Sequence, residues 1–112
     1  MKPRRAMARL SHTLGKMNKT EAEYASRLEL FKRCGTLIDY RFEPMKLRLA
    51  NLTTYSPDFM VIDPDGSVVF HEVKGFWMDD ARVKIKVAAE QYPWFHFVAA
   101  TKKKGQWEVE KF

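Results

Sequence analysis

Three charged residues stand inside what is otherwise apolar strand sequence. Asp58 precedes Phe59-Met60-Val61-Ile62, and Glu72 and Lys74 interrupt a run that begins Val68-Val69-Phe70. Charged side chains are seldom fully buried unless they are paired or bind a metal. An Asp followed on the next strand by Glu-x-Lys suits metal-dependent phosphodiester hydrolysis. Two carboxylates hold Mg²⁺, a hard cation that takes oxygen ligands and keeps several waters. The backbone carbonyl of Val73 is a further candidate ligand. The cation polarises a phosphoryl oxygen and lowers the pKa of a water, and the Lys74 ammonium orients that water or stabilises the charge that builds at phosphorus. The plainer alternative is a surface salt bridge on an exposed strand, which the apolar flanks weaken.

The segment between the two runs must position these residues. Asp63-Pro64-Asp65-Gly66-Ser67 reads as a three-residue hairpin loop, a type I turn followed by glycine in the left-handed region. Asp63 then faces Ser67 and Asp58 faces Glu72, with β-carbons about 4.5–5.5 Å apart. Glu72 and Lys74 share a face, about 6–7 Å apart along the strand. A loop one residue longer would put Asp58 opposite His71 and undo the arrangement.

Upstream, Asn18 or Thr20 can cap a helix starting near Glu21. Tyr24, Ala25, Leu28 and Phe31 recur at helical spacing, and Gly35 ends the helix. Steps of three, four and seven from Glu21 reach the apolar face, so Glu21 points inward or at a groove, whereas Glu23 can pair with Arg27 on the surface. Glu21 is a candidate second-metal ligand or positioner of the nucleophile, or else a carboxylate that stabilises the helix N-terminus.

Residues 37–49 read as two short strands or one bent at Pro44, and residues 50–56 as a polar connector. Asp79 or Asp80 can cap a second helix with an Ala81, Ile85, Ala88, Tyr92 stripe, stopped by Pro93. A strand over 95–101, a basic turn at Lys102-Lys103-Lys104-Gly105 and a closing strand over 106–112 complete the order. His12, His71 and His96 lack metal-ligand spacing, and His71 reads as a packed histidine. Trp77 and Cys34 read as packing residues.

The chain has 112 residues and a formal net charge of +6. Residues 1–19 hold Lys2, Arg4, Arg5, Arg9, Lys16 and Lys19 and no acid; the remaining basic residues match the 14 acidic ones. The whole excess thus sits in residues 1–19, all but Lys19 of it in an N-terminal arm taken as a flexible segment over residues 1–18 ahead of a single domain over 19–112. Such arms lie on polyanions or are simply solvated. Arg4, Arg5, Arg9, Lys16 and Lys19, with Arg82, Lys84 and Lys86 of the second helix, are the candidate DNA contacts. One cysteine excludes an internal disulfide, and no apolar run approaches a membrane span. An intracellular setting is expected.

Pro57-Asp58 followed by Glu72-Val73-Lys74 resembles the PD-(D/E)XK nuclease signature. Tyr55-Ser56-Pro57-Asp58-Phe59, Glu72-Val73-Lys74-Gly75-Phe76-Trp77, Asp79-Asp80-Ala81-Arg82 and Tyr92-Pro93 together resemble the bacteriophage endonuclease I family of Holliday-junction resolvases and related small phage nucleases. The resemblance covers about residues 20–100. It differs in a longer hairpin turn, a longer first helix and an early C-terminal stop. It implies an α/β fold of the α+β kind, with a restriction-endonuclease-like core in which a central mixed β-sheet is flanked by helices. Glu21, Asp58, Glu72 and Lys74 become the catalytic set, with Asp58 and Glu72 as metal ligands for Mg²⁺ or Mn²⁺. The implied substrate is a four-way junction or other branched DNA, in the cytoplasm of a phage-infected or prophage-bearing bacterium. The implied assembly is a homodimer exchanging segments through residues 50–56. The competing expectations are a general nicking or restriction-type endonuclease of the same fold, a non-catalytic DNA-binding module, and a structural phage component.

Overall fold

The structure, a computed structural model, describes residues 17–76 and 79–112. Arg4, Arg5, Arg9, His12, Lys16 and Trp77 lie outside the described residues.

Helix α1 (Lys19–Arg33) starts two residues before Glu21 because Asn18 is the cap. The Asn18 side chain accepts the Glu21 N–H at 2.8 Å, and the Glu21 carboxylate accepts the Asn18 N–H at 3.0 Å. This reciprocal box satisfies two otherwise unpaired donors. At the other end Cys34 is the C-cap and Gly35, at φ +79°, turns the chain left-handed. The Thr36 N–H then reaches back to the Phe31 carbonyl at 2.9 Å. Cys34 is exposed there, not packed as its type suggests.

Seven strands follow: β1 (Asp39–Phe42), β2 (Leu47–Ala50), β3 (Thr53–Tyr55), β4 (Phe59–Ile62), β5 (Val68–Lys74), β6 (His96–Lys103) and β7 (Gln106–Lys111), with helix α2 (Asp79–Gln91) between β5 and β6. Five of them form one mixed sheet in the order β1-β4-β5-β6-β7. Only β5 and β6 run parallel, joined across α2 as a parallel pair requires. The described residues thus form a mixed α and β fold built on a five-stranded mixed sheet with two helices. No helix among the described residues is long and apolar enough to cross a membrane.

Residues 50–56 do not form an open connector. They supply the turn and second strand of a separate two-stranded hairpin, β2 with β3. Leu47, Leu49 and Tyr55 turn inward from it. They pack with Phe70, Ile85, Ala88 and Phe97, so hairpin and α2 together cover one face of the sheet. The opposite face is covered by α1, where Tyr24 and Leu28 meet Phe42, Phe59, Val61, Val73 and Ala100.

The β4–β5 turn is the one its residues specify. The Asp63 N–H bonds to the Ser67 carbonyl at 2.9 Å, the Gly66 N–H bonds to the Asp63 carbonyl at 2.8 Å, and Gly66 sits at φ +88°. Pairing then runs from Ile62 with Val68 to Phe59 with His71. One step further along the same register, Asp58 falls opposite Glu72.

Candidate metal and phosphodiester site

Where β4 begins and β5 ends, an open cavity of about 670 Å³ is lined by Glu21, Asp58, Glu72 and Lys74. Each arrives from a different piece of the fold. Asp58 and Glu72 are opposed by the hairpin register, and Lys74 follows Glu72 on the same face. Glu21 comes from the first turn of α1, which packs on the other side of the sheet. The first turn of α2 adds Asp80, Ala81 and Lys84 to the wall. Both helices therefore turn their N-terminal ends, the positive ends of their dipoles, toward one cavity.

The two central carboxylates are held differently. One Asp58 oxygen accepts the Val73 N–H at 2.8 Å. Glu72 is 6% exposed. Its Oε1 accepts the Tyr55 hydroxyl at 2.7 Å, and its Oε2 lies 3.0 Å from the Lys74 ammonium. Burial, then the neighbouring Glu72 and Glu21 charges, push Asp58 up to about 8, against the pull of the Val73 N–H and Lys74. Burial opposes the Lys74 charge, but Glu72, Asp58 and Glu21 together outweigh it and hold Lys74 above its ordinary value. Burial and the same Glu72 charge raise the Tyr55 phenol far above the usual range, so it is a permanent donor.

This donor set fits a hard divalent cation. Among the described residues no three His, Cys, Asp or Glu side chains come together as a metal cluster. Side-chain ligation therefore rests on the Asp58 and Glu72 pair. In an extended residue N–H and C=O point to the same edge, so the Val73 carbonyl faces the Asp58 side with its N–H, on the cavity wall. Two carboxylates and one carbonyl bordering a water-accessible cavity match the oxygen ligation of Mg²⁺. A cation would offset both the burial of Asp58 and the Glu72 charge beside it, the two effects that raise it most. Glu21 lines the same cavity, yet one of its oxygens is committed to the helix cap.

The basic residues divide. Lys84 lines the cavity and reaches the Thr54 carbonyl at 3.3 Å. Arg82 and Lys86 do not join it. They border a groove at the β7 side, where Arg82 pairs with Glu110 at 2.6 Å. Residues two apart on a helix lie about 200° apart around it, whereas residues four apart share a face. Lys19 is exposed at the start of α1. Lys46, which the sequence did not single out, stands on the cavity wall just before β2 and has no ion-pair partner among the described residues. Glu23 pairs with Lys102, not Arg27, and Arg27 instead lies 4.8 Å over the Phe31 ring. His71 sits away from the cavity, its Nδ1 2.6 Å from the Tyr24 hydroxyl, and burial lowers it to about 4, so it is neutral.

A scan against protein-family models matched none, and searches of curated proteins and of solved structures also matched none.

Proposed function

We propose that this chain is a metal-dependent endonuclease of the PD-(D/E)XK kind, hydrolysing phosphodiester bonds in branched DNA, with the Holliday junction as its leading substrate. The observation that carries this reading is the meeting of Asp58, Glu72 and Lys74, with Glu21 beside them, on one solvent-open cavity.

Asp58, Glu72 and the Val73 carbonyl would hold the cation. When bound, a divalent ion polarises a phosphoryl oxygen and makes a nearby water more acidic. The chain's own groups do the rest. The Lys74 ammonium, anchored by Glu72, is placed to hydrogen-bond a non-bridging oxygen as negative charge builds there, or to hold the attacking water. Lys46 and Lys84 on the cavity wall offer charge to flanking phosphates. Glu21, on the same cavity wall as Asp58, would orient the nucleophile. A symmetric cut across a four-way junction needs two such sites, hence a homodimer.

The test is to incubate the protein and Mg²⁺ with four-way junction, fork, linear duplex and single-stranded DNA. The expected result is cleavage of the branched substrates and little of linear duplex. Equal cutting of linear duplex would favour a general nicking or restriction-type enzyme. No cutting of any substrate, with Mn²⁺ also tried, would sink the enzyme and leave a DNA-binding module. Lys74→Ala is expected to slow cleavage by about 10²–10³, the typical loss on removing one transition-state donor, while junction binding persists in a gel-shift assay.

A further inference from the structure

Glu72 is nearly sealed from solvent, and the group that reaches it from the other layer is Tyr55. Tyr55 ends β3, the second strand of the two-stranded hairpin, and is itself only 6% exposed. The hairpin is outside the main sheet and is packed on α2 through Leu47, Leu49, Ile85 and Ala88. Lys84 of α2 also clasps the β3 backbone at Thr54. The phenol is therefore carried to Glu72 on a braced element. A carboxylate with one oxygen fixed by a hydroxyl and the other by an ammonium has a set orientation, and each oxygen keeps a lone pair for a cation.

We infer that Tyr55 is a positioning residue for the metal site: its hydroxyl fixes the Glu72 carboxylate in the orientation that, with Asp58, binds the divalent ion. The inference rests on the metal-site reading above. Partners in this position commonly change metal affinity or activity by 10- to 100-fold when removed. The same bond makes the β2–β3 hairpin a working part of the site, since displacing β3 would free Glu72 to swing toward Lys74.

Tyr55→Phe keeps the ring in its apolar bed and deletes only the hydroxyl. Titration of wild type and Tyr55→Phe with Mn²⁺ alone, followed by electron paramagnetic resonance, should show wild-type binding and about tenfold weaker binding by the variant. Unchanged thermal unfolding of the two in chelator would separate this from general loosening. Wild-type binding with a Tyr55→Phe affinity equal within twofold would overturn the inference and leave the metal site standing. Absence of Mn²⁺ binding by wild type would overturn the metal site, and the inference with it. Should Tyr55→Phe fail to fold, wild type labelled with 3-fluorotyrosine gives a second readout. The Tyr55 fluorine resonance should move as Mg²⁺ saturates the site, and a resonance that stays fixed would also overturn the inference.

Discussion

Asp58→Asn should abolish Mg²⁺-dependent cleavage, by at least about 10³, and at the same time make the metal-free protein more stable. The two outcomes have one cause. In the folded chain Asp58 is pushed up to about 8 by burial and by the adjacent Glu72 charge, against an ordinary value of 3.8. A carboxyl whose folded value is raised contributes its stability below the unfolded value. That contribution is lost as pH climbs through the folded one. Between about pH 4 and pH 8 the metal-free wild type should therefore weaken as proton binding by Asp58 is given up. The amide cannot ionise and retains an oxygen for the Val73 N–H. At pH 8 in chelator the variant should gain at least about 1 kcal/mol, seen as a rise of roughly 4 °C or more in Tm. Saturating Mg²⁺ should reverse the order, because a cation that binds only the folded state stabilises by mass action and the variant lacks one of the proposed ligands. Thermal unfolding at pH 5 and pH 8, with chelator and with Mg²⁺, reads all of this without DNA. If Asp58→Asn is no more stable than wild type at pH 8 in chelator, the carboxylate pair is not under the strain described.

Phe59→Ala should cost about 3–5 kcal/mol, the usual range for an aromatic removed from a packed core. Against a typical domain stability of about 5–15 kcal/mol, that is enough to leave much of the chain unfolded at 37 °C. Phe59 has no exposed surface. Its ring lies 5.2 Å from Phe42, 5.7 Å from Tyr24 and 6.4 Å from Tyr40, tilted against each. It therefore joins α1, β1 and β4, and it is the residue next to Asp58. Urea unfolding followed by circular dichroism would measure the loss. A penalty below about 1 kcal/mol would mean that α1 does not depend on this contact to hold its place on the sheet.

The parts of the fold with local chemistry were legible in the sequence. Pro64, Asp65 and Gly66 specify their turn by residue type, and the turn alone set the register that opposes Asp58 and Glu72. Helix α1 announced itself through Asn18, its apolar spacing and Gly35. What stayed hidden depends on tertiary placement. The β2–β3 hairpin reverses at Asn51-Leu52, with Leu52 at φ +58°, so no glycine marks the turn. Its inward alternation of Leu47, Leu49 and Tyr55 was the available signal, masked by the polar residues between them. Glu23 finds Lys102, 79 residues away, which no helix periodicity can foresee. Helical spacing puts Arg82 and Lys86 on one face with Lys84 nearby, yet only the fold shows that Lys84 borders the cavity while the other two border a groove at β7. Tyr55 lay inside the run that carries the family resemblance, but only its contact with Glu72 points to the positioning role proposed for it.

The site's two carboxylates flank the short turn between β4 and β5, whereas the parallel pairing of β5 with β6 closes across the whole of α2. Closing so small a loop costs little entropy, and hairpins of this kind form within about 1–10 μs. The parallel β5–β6 pairing must wait for α2 to cross over, and such non-local pairings form late. During folding, Asp58 and Glu72 therefore meet while still wet, when their repulsion is screened. The barrier is expected at that later moment, when the β5–β6 pairing fixes α2 and the β2–β3 hairpin over Glu72 and water leaves the two like charges. A proton, or the divalent ion proposed for the site, arriving by then would lower it. Refolding should accordingly quicken with Mg²⁺ or with falling pH, and stopped-flow rates indifferent to both would place the sealing of the site before the rate-limiting step.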